Sequence, residues 1–346
     1  MKLTAEIKLL PDAEQKLLAV RTMKEYVRAV NAVLDDMVDY DQHYQFSSKM
    51  IDARLPSCLK AQAAGDARSM DAKMFKQYCR QPVAKKLCAV WNNQNYKVNA
   101  DSVEFPVFID KSVRIRVRAL IPSEVYEMFQ RTNLGTLRIT QKRGNLIAQI
   151  AYEAEAETCT DSGVIGVDLG IKCPAVSVTN DGKVKFFGNG RQRKRIKRHY
   201  EYKRRKLQKK HKLNAVKELE DKEHRIFTDM DHKLSREIVN YAKQNGIKTI
   251  KLETLSGIRR TTRKSCKNIN ERELSVHSWS FYRLQQFIKY KAELAGIKVV
   301  EVNPAYTSQV CPNCGKLNKA RDRNYTCCCG YHGHRDIVGA KNILAA

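Results

Sequence analysis

The sequence predicts a multidomain α+β protein, because the spacing of its apolar residues changes repeatedly along the chain. Alternation at the start gives way to helical spacing, then to alternation again, and finally to helix–strand units. The 346 residues are enough for two or three domains that each have a core. The changes in spacing divide the chain into an N-terminal and a C-terminal part with different architectures.

The N-terminal part is predicted to be a sheet interrupted by helices. An alternating first strand ends at Pro11, as an edge strand before a turn does. Apolar residues recur at three- and four-residue steps over about 12–91, which predicts a few helices. Over about 98–157 the period returns to two, with a hairpin turn at 143–145. This pattern predicts an antiparallel sheet or small barrel with a helical block inserted after its first strand.

The C-terminal part begins with a short apolar run that contains an acid. The run GVIGVDLG (163–170) is too short for a helix and is rich in β-branched residues, so it predicts a buried strand that carries Asp168. An Asp-Gly pair at 181–182 predicts a hairpin between the next two strands. Two helix–Gly–strand units follow, in which Gly246 and Gly296 end the helices.

Three antiparallel strands followed by two such units have the strand order of an RNase H-type fold. In that order the first strand is central and the fourth lies beside it. Asp168 and Glu253 are therefore predicted at neighbouring strand ends. The polar, basic segment Ser256–His277 between the two units is predicted to be a mobile loop.

Three acids allow two interpretations. A buried carboxylate needs a partner, a metal ion or a strand end, and Asp168 alone fits a cap of the following turn. Asp336, in the first turn of a C-terminal helix, alone fits a favourable charge for the helix dipole. Together with Glu253, however, these acids could hold two Mg²⁺ ions about 4 Å apart for phosphodiester hydrolysis.

The cysteines predict a structural metal site. Five of the 11 cysteines are clustered near the C-terminus, which suits a reducing compartment better than a disulfide framework. The predicted ligands of one Zn²⁺ ion are Cys311, Cys314, Cys327 and Cys329. Because the second pair is C-x-C, Cys328 and His332 remain open as the fourth ligand. An iron–sulfur site or a metal-free cluster is the alternative.

The charge predicts a polyanionic partner. Lys and Arg number 64 against 37 Asp and Glu, a net charge of +27, for which nucleic acid is the first candidate and an anionic membrane surface the second. In the run 191–212, 13 of 22 residues are Lys or Arg, which fits a solvated helix face or a helix beside a phosphate backbone. The residues predicted to contact nucleic acid are Arg191, Arg193, Lys194, Arg195, Lys197, Arg198, Lys203, Arg204 and Arg205.

These segments together resemble the TnpB family, the RNA-guided nucleases encoded by insertion sequences and related to miniature type V CRISPR effectors. AEIKLLPDAEQKLLAVRTMKEYVRAVN is similar to the start of the family, and GVIGVDLGIKCPAVSVTNDGK and IKLETLSGI are similar to its first two RuvC motifs. CPNCG and the later CCCGYHGHRDIVGAKNI resemble its zinc finger and third RuvC motif. The resemblance covers nearly the whole chain.

The resemblance implies a division into four parts. They are a split wedge-type β-barrel (1–11 and 96–157), a helical recognition insert (12–95), an RNase H-like RuvC nuclease domain (161–305 and 334–346) and a zinc-finger domain that binds target nucleic acid (306–333). It also implies that Asp168, Glu253 and Asp336 are the catalytic acids.

The function implied is RNA-guided cleavage of DNA. A guide RNA from the transposon end would pair with target double-stranded DNA beside a short motif that the protein reads. The alternatives are an RNA-guided DNA-binding repressor without cleavage and a guide-independent RNase H-like nuclease. No small-molecule substrate and no membrane partner are expected. With no apolar run of about 18 residues, the chain is expected in the prokaryotic cytoplasm, near the nucleoid.

Overall fold

The computed structural model describes residues 1–39, 47–78, 81–255, 281–320 and 322–346. The chain divides into two compact units, Met1–Glu155 and Ala156–Ala346. The loop predicted over Ser256–His277 lies outside the described residues.

The described part of the first unit combines a sheet with three helices that share one core. The strands are β1 (Lys2–Leu10), β2 (Cys88–Trp91), β3 (Lys97–Val98), β4 (Ser102–Phe108), β5 (Ser112–Leu120), β6 (Leu134–Lys142) and β7 (Asn145–Glu153). The helices are α1 (Ala13–Asp39), α2 (Ser57–Tyr78) and α3 (Ser123–Arg131). Tyr26 of α1, Leu59 of α2 and Ile150 of β7 are all buried in this core.

The seven-stranded sheet is curled but not closed within the described residues. Its order is β2-β6-β7-β1-β5-β4-β3, so β2 and β3 are the end strands. β3 pairs with β4 over two residues only, which leaves little backbone for closure. Instead Trp91 of β2 packs on Phe105 of β4, with ring centroids 5.0 Å apart, and donates its indole N–H to the carbonyl of Pro106 at 3.0 Å. The predicted split barrel is therefore corrected to an open sheet, in which Trp91 of β2 contacts β4.

Two elements of this unit differ from the prediction. β2 lies in the segment expected to be helical, because four apolar residues are too few for their period to distinguish a strand from a helix. α3 lies where strands were expected; it begins after Pro122 and buries Phe129. The predicted turn between β6 and β7 is confirmed, since Arg143 and Gly144 have φ values of 53° and 77°, as type I′ hairpins require.

The second unit is built around a five-stranded mixed sheet. Its strands are β8 (Gly163–Asp168), β9 (Ala175–Thr179), β10 (Val184–Phe187), β11 (Ile247–Glu253) and β12 (Lys298–Val302), and a hairpin consists of β13 (Asn324–Thr326) and β14 (His332–His334). The described helices are α4 (Gly190–Lys209), α5 (Leu213–Gln244), α6 (Phe281–Leu294) and α7 (Arg335–Ala345).

The order of this sheet is β10-β9-β8-β11-β12, with β8 in the centre. β9 runs antiparallel to β8, and β11 runs parallel to it, as the sequence predicts. β9 and β10 are joined by the predicted Asp-Gly turn, in which Gly182 has a φ of 79°. The predicted helix ends are also present, because Gly246 and Gly296 follow α5 and α6 with φ values of 64° and 68°.

The two faces of β8 have different partners because successive side chains of a strand point to opposite faces. Ile165 and Val167 belong to the core formed with α5 and α6. Gly166 and Asp168 lie on the opposite face, against α7. On β11, Lys251 shares that face and donates to the carbonyl of Leu344 in α7 at 2.8 Å. Because side chains alternate along β8, Asp168 lies on the same face of the sheet as Gly166, the face that packs against α7.

None of the helices in the described part of the chain has the length and apolar run that a bilayer span needs.

Candidate active site and cysteine cluster

Three acidic residues meet at one edge of the five-stranded sheet. Asp168 is the last residue of β8, and Glu253 is the last residue of β11. Val167 pairs with Leu252 in the parallel register, so the two carboxylates follow at adjacent strand ends. Asp336 comes from the first turn of α7. We call this group of three residues the acid edge.

The close approach of α7 to β8 depends on two glycines. A Cβ atom at Gly166 would lie 2.3 Å from the carbonyl oxygen of Ala340, and one at Gly339 would lie 2.9 Å from Oδ2 of Asp168. Both separations are shorter than a van der Waals contact. A side chain at Gly166 would collide with the backbone of α7 and push the helix away from the strand, whereas one at Gly339 would displace the carboxylate of Asp168. Asp336 lies about one helical turn before Gly339, and the same packing holds its carboxylate near Asp168.

Burial favours the protonated form of Asp168 and Glu253. The pKa of Asp168 rises to about 8, first because burial disfavours the charged form and then because Glu253 and Asp336 are close. Burial also raises the pKa of Glu253, although the hydroxyl of Thr307 opposes this rise by donating a hydrogen bond to its carboxylate. Two carboxyl groups with raised pKa values beside a third acid fit a divalent cation, whose charge would favour the ionised forms of Asp168 and Glu253.

Two arginines lie beside these acids. Arg323, just before β13, forms an ion pair with Oδ2 of Asp336. Arg335 is exposed and donates to the hydroxyl of Ser308 at 3.4 Å. Both positive charges oppose the rise in the pKa of Asp168. Guanidinium groups in such a place are able to bind the phosphate of a substrate.

The four predicted cysteine ligands form a compact cluster. The Sγ atoms of Cys311, Cys314, Cys327 and Cys329 all lie within 4.8 Å of one another. Two of the sulfur–sulfur distances are 3.7 Å (Cys311 to Cys329) and 3.6 Å (Cys314 to Cys327). A tetrahedral site with Zn–S bonds of about 2.3 Å has sulfur–sulfur edges of about 3.8 Å. The sulfur positions therefore fit a four-thiolate zinc site.

The two turns of the cluster differ in length by one residue. In the first turn the N–H of Cys311 donates to the carbonyl of Lys316, five residues later. In the second turn the N–H of Cys327 donates to the carbonyl of Tyr331, only four residues later. The shorter second turn accounts for its C-x-C spacing.

The structure places both alternative ligands outside the four-sulfur group. Cys328 is exposed, and its sulfur lies 4.0 Å from that of Cys327. Nδ1 of His332 lies 3.2 Å from the hydroxyl of Thr326. Cys329 is therefore the fourth member of the cluster.

Local hydrogen bonds favour the thiolate of Cys329. The backbone N–H of Tyr331 and then the side-chain amide of Asn313 lower its pKa to about 6. A thiolate is the form that binds zinc.

The basic helix α4 has an inner and an outer face. On the inner face Arg193 pairs with Asp231 of α5 at 2.7 Å, and Lys197 and Arg204 pair with Glu223 at 2.9 and 2.5 Å. Both acids are buried. Three of the basic residues predicted to contact nucleic acid therefore form ion pairs with acids of the same unit instead. The other six are exposed: Arg191, Lys194, Arg195, Arg198, Lys203 and Arg205. We call these six residues the outer face of α4.

The sequence patterns did not indicate Thr307, Arg323 or the two glycines of the α7 contact. A glycine inside a helix is disfavoured, so Gly339 three residues after Asp336 was a usable signal. Arg323 is one of 64 basic residues, and only the fold shows that it meets Asp336.

Two family models match this chain. One, described as a probable transposase (OrfB of IS605), matches residues 149–259, which include β8 and β11. The other, described as a Cas12f1-like TNB domain, matches residues 281–343, which include the cysteine cluster and most of α7.

Curated relatives point to the same family. A TnpB-like protein of Methanocaldococcus jannaschii is 37% identical over 159 residues, which are 44% of this chain and 56% of the relative. The CRISPR-associated endodeoxyribonuclease Cas12f1 of Sulfoacidibacillus thermotolerans is 30% identical over 214 residues, 56% of this chain and 48% of the relative. The chain thus spans about half the length of these curated relatives. With both family models, these matches show that the chain belongs to the TnpB family.

A solved structure shares the fold. The cryo-EM structure of a Cas12f1–sgRNA–target DNA complex matches with a TM-score of 0.70, over 95% of this chain and 81% of that chain, at 15% sequence identity. At this identity the match establishes a common multidomain α/β fold.

Proposed function

We propose that this chain is an RNA-guided DNA endonuclease that cleaves DNA at the acid edge, with a site of the RuvC type. The observation that carries the proposal is the convergence of Asp168, Glu253 and Asp336 from two adjacent strand ends and one closely packed helix. The endodeoxyribonuclease Cas12f1 and the TnpB-like protein among the relatives support the choice of reaction.

The three carboxylates would hold two Mg²⁺ ions as oxygen ligands. Ions bound there would activate a water molecule and stabilise the leaving oxygen of the phosphodiester. The residues of the chain set the conditions for this chemistry. Thr307 orients the carboxylate of Glu253 by its hydrogen bond, and Arg323 holds the carboxylate of Asp336.

The proposed partners are a guide RNA from the transposon end and target double-stranded DNA. The net charge of +27 supports polyanionic partners. We assign 161–305 and 334–346 to the nuclease domain, and 306–333 to a zinc-finger domain that binds target nucleic acid. The open sheet of 1–11 and 96–157 and the mainly helical segment 12–95 are assigned to the wedge and recognition parts.

The test of the reaction is the variant Glu253→Gln in the complex with RNA. Loss of one carboxylate that holds metal is expected to lower DNA cleavage at least about 100-fold, since metal charge stabilisation contributes several kcal/mol. Binding of RNA and DNA should stay close to that of the wild type. The control is Glu301→Gln, on the neighbouring strand β12 with an exposed side chain. Cleavage that survives both Glu253→Gln and Asp168→Ala would exclude the acid edge as the site of cleavage. A wild-type complex that binds target DNA without cutting it would favour the repressor alternative.

The guide is tested separately, by sequencing the RNA that copurifies with the protein from its native locus. One abundant species with a constant scaffold and a variable 3′ end is expected. Heterogeneous RNA, or none, would contradict RNA guidance and favour a guide-independent nuclease.

The outer face of α4 is proposed to contact the phosphate backbone. Replacing both Arg195 and Arg198 by Gln should lower the slope of log affinity against log salt by about 0.7–0.9 for each lost contact. The matched inner-face variant, Arg193→Gln, should mainly reduce stability, because it leaves the buried Asp231 with one partner fewer. An unchanged slope in the double variant would make the outer face a solvated surface.

A further inference from the structure

Tyr306 has a backbone conformation that side chains rarely adopt. Its φ is 63°, in the left-handed region, where a bulky residue is an outlier. In the described part of the chain two other non-glycine residues share a positive φ: Arg143, in the hairpin turn, and His211, between α4 and α5. Tyr306 differs from both because it is a large aromatic residue with 57% of its surface exposed.

Hydrogen bonds hold the turn at Tyr306 in place. The backbone N–H of Ala305 donates to the side-chain oxygen of Asn303 at 3.0 Å. The carbonyl of Tyr306 accepts from the N–H groups of Gln309 and Val310, at 2.8 and 3.0 Å. The strained conformation is therefore part of an ordered turn.

The same turn is attached to the acid edge. Thr307, the next residue, is buried and donates its hydroxyl to Glu253. Its carbonyl accepts from the side-chain amide of Asn342 in α7 at 2.6 Å. The exposed ring of Tyr306 therefore belongs to the residue next to Thr307, whose side chain contacts Glu253 of the acid edge.

Packing does not explain why a tyrosine occupies this position. More than half of the side chain is exposed, so burial contributes little. Glycine or asparagine would adopt this φ at a lower cost in free energy. An exposed outlier of this kind beside a candidate active site points to a role in binding.

A cation completes the arrangement. Arg335 directly precedes Asp336 and donates to the hydroxyl of Ser308, two residues after Tyr306. Arg335, at the start of α7, thus brings an exposed guanidinium group to the turn that carries the exposed ring of Tyr306. A guanidinium group and an aromatic ring are the two groups that recognise a nucleotide, one for the phosphate and one for the base.

We propose that Tyr306 is a stacking platform for an unpaired nucleobase of the DNA strand at the acid edge, with Arg335 contacting the adjoining phosphate. The inference rests on the proposed function and adds to it a binding site for one unpaired nucleotide of a DNA strand. Stacking is tolerant of sequence, because every base has a π face. Tyr306 would therefore position the strand without selecting its sequence.

The test compares Tyr306→Asn with the wild-type full chain. Asparagine tolerates the left-handed conformation, so the variant removes the ring without adding strain. The probe is a single-stranded 20-nucleotide DNA that contains 2-aminopurine, in buffer without Mg²⁺ so that it is not cut. We expect binding to weaken about 5- to 150-fold, as loss of one base–aromatic stack does. Quenching of 2-aminopurine should decrease, and the melting temperature should stay equal or rise.

Two further variants serve as controls. Tyr306→Phe keeps the ring and should bind like the wild type. Tyr282→Asn removes a tyrosine of α6 that is 71% exposed, and should also leave binding unchanged.

The outcomes separate this inference from the proposed function. If the wild type binds the probe and Tyr306→Asn binds it within twofold with the same quenching, the stacking platform is wrong and the proposed function stands. If the wild type binds no DNA and no RNA, the proposed function is wrong and the inference fails with it.

Discussion

The acid edge and the cysteine cluster each gather groups that repel one another when ionised, but the chain assembles them differently. The three acids come from strands and a helix that lie far apart in sequence, and their meeting depends on the β8–β11 pairing and the α7 contact. The four cysteines lie in two local turns beside one hairpin. The first site depends on the tertiary fold, and the second depends on local turns and a metal ion.

The two sites should therefore be sensitive to different substitutions. The cysteine cluster should be lost when a ligand is removed, because zinc binding and local folding are coupled. The acid edge should be lost when helix packing changes, even if all three acids remain. Arg323 connects the two sites, because it immediately precedes the hairpin and pairs with Asp336.

The largest effect is expected from removing a cysteine ligand. Cys327→Ser should reduce bound zinc from one ion per chain to none and unfold the region around 306–334. Structural zinc sites have apparent binding free energies of about 10–16 kcal/mol. Metal analysis and limited proteolysis measure the two effects. Cys328→Ser, whose sulfur lies outside the four-sulfur group, should keep the ion. Full zinc content and wild-type protease resistance in Cys327→Ser would exclude the proposed site.

A smaller but still large effect is expected at the α7 contact. Gly166→Ala should lower the free energy of unfolding by about 3 kcal/mol, because the new methyl group would collide with the backbone of α7. Chemical denaturation measures the change. Gly65→Ala is the matched control, because it lies in α2 with no atom within 4 Å of its added Cβ, and it should stabilise by about 1 kcal/mol. Equal stability of Gly166→Ala and the wild type would contradict the close packing.

The next largest effect is expected on the pH dependence of folding stability, to which Asp168 of the acid edge contributes. An unfolded aspartate ionises near pH 4, whereas folded Asp168 keeps its proton up to about pH 8. The folded state therefore binds more protons in this interval, and stability should fall as the pH rises from 4 to 8. The protein is measured with zinc bound and without Mg²⁺. In the Asp168→Asn variant, the free energy of unfolding should fall by about 1–3 kcal/mol less between pH 4 and 8 than in the wild type. Melting temperatures across the interval provide the measurement; parallel profiles for the two proteins would disprove the raised pKa.

The smallest effect is expected from the link between the two sites. Arg323→Gln should cost about 1 kcal/mol, since the ion pair with Asp336 is only partly shielded from water. A double-mutant cycle with Asp336→Asn should give a coupling energy of at least about 0.5 kcal/mol. Arg335→Gln in the same cycle should show less coupling. A value of zero for Arg323 would mean that the two sites are independent.

Much of the acid edge could be predicted from sequence because it depends on strand order. The alternating pattern and the Asp-Gly turn predicted three antiparallel strands, and a parallel strand beside the first then brought Glu253 next to Asp168. The closeness of the α7 contact could not be predicted, because it depends on the backbone atoms of α7 that meet Gly166 and on the Asp168 side chain that meets Gly339.

The basic helix shows a second limit of sequence reasoning. Its run of Lys and Arg covers both faces, so composition could not reveal which face is buried. Two acids of α5, Glu223 and Asp231, determine which face is buried. Their buried carboxylates form ion pairs with Arg193, Lys197 and Arg204. The open edge of the sheet in the first unit could not be predicted either. The sheet stays open because its end strand β3 pairs with β4 over two residues only.

The parallel pairing of β8 with β11 also has a kinetic consequence. It joins segments that α4 and α5 separate in sequence, and contacts of this kind form slowly because a long loop must first close. The β13–β14 hairpin closes a short loop and can form early. In refolding followed by pulsed hydrogen exchange, amides of the hairpin should be protected before those of β8. A folding chain would then hold the hairpin that carries Cys327 and Cys329 for some time before the acid edge is assembled.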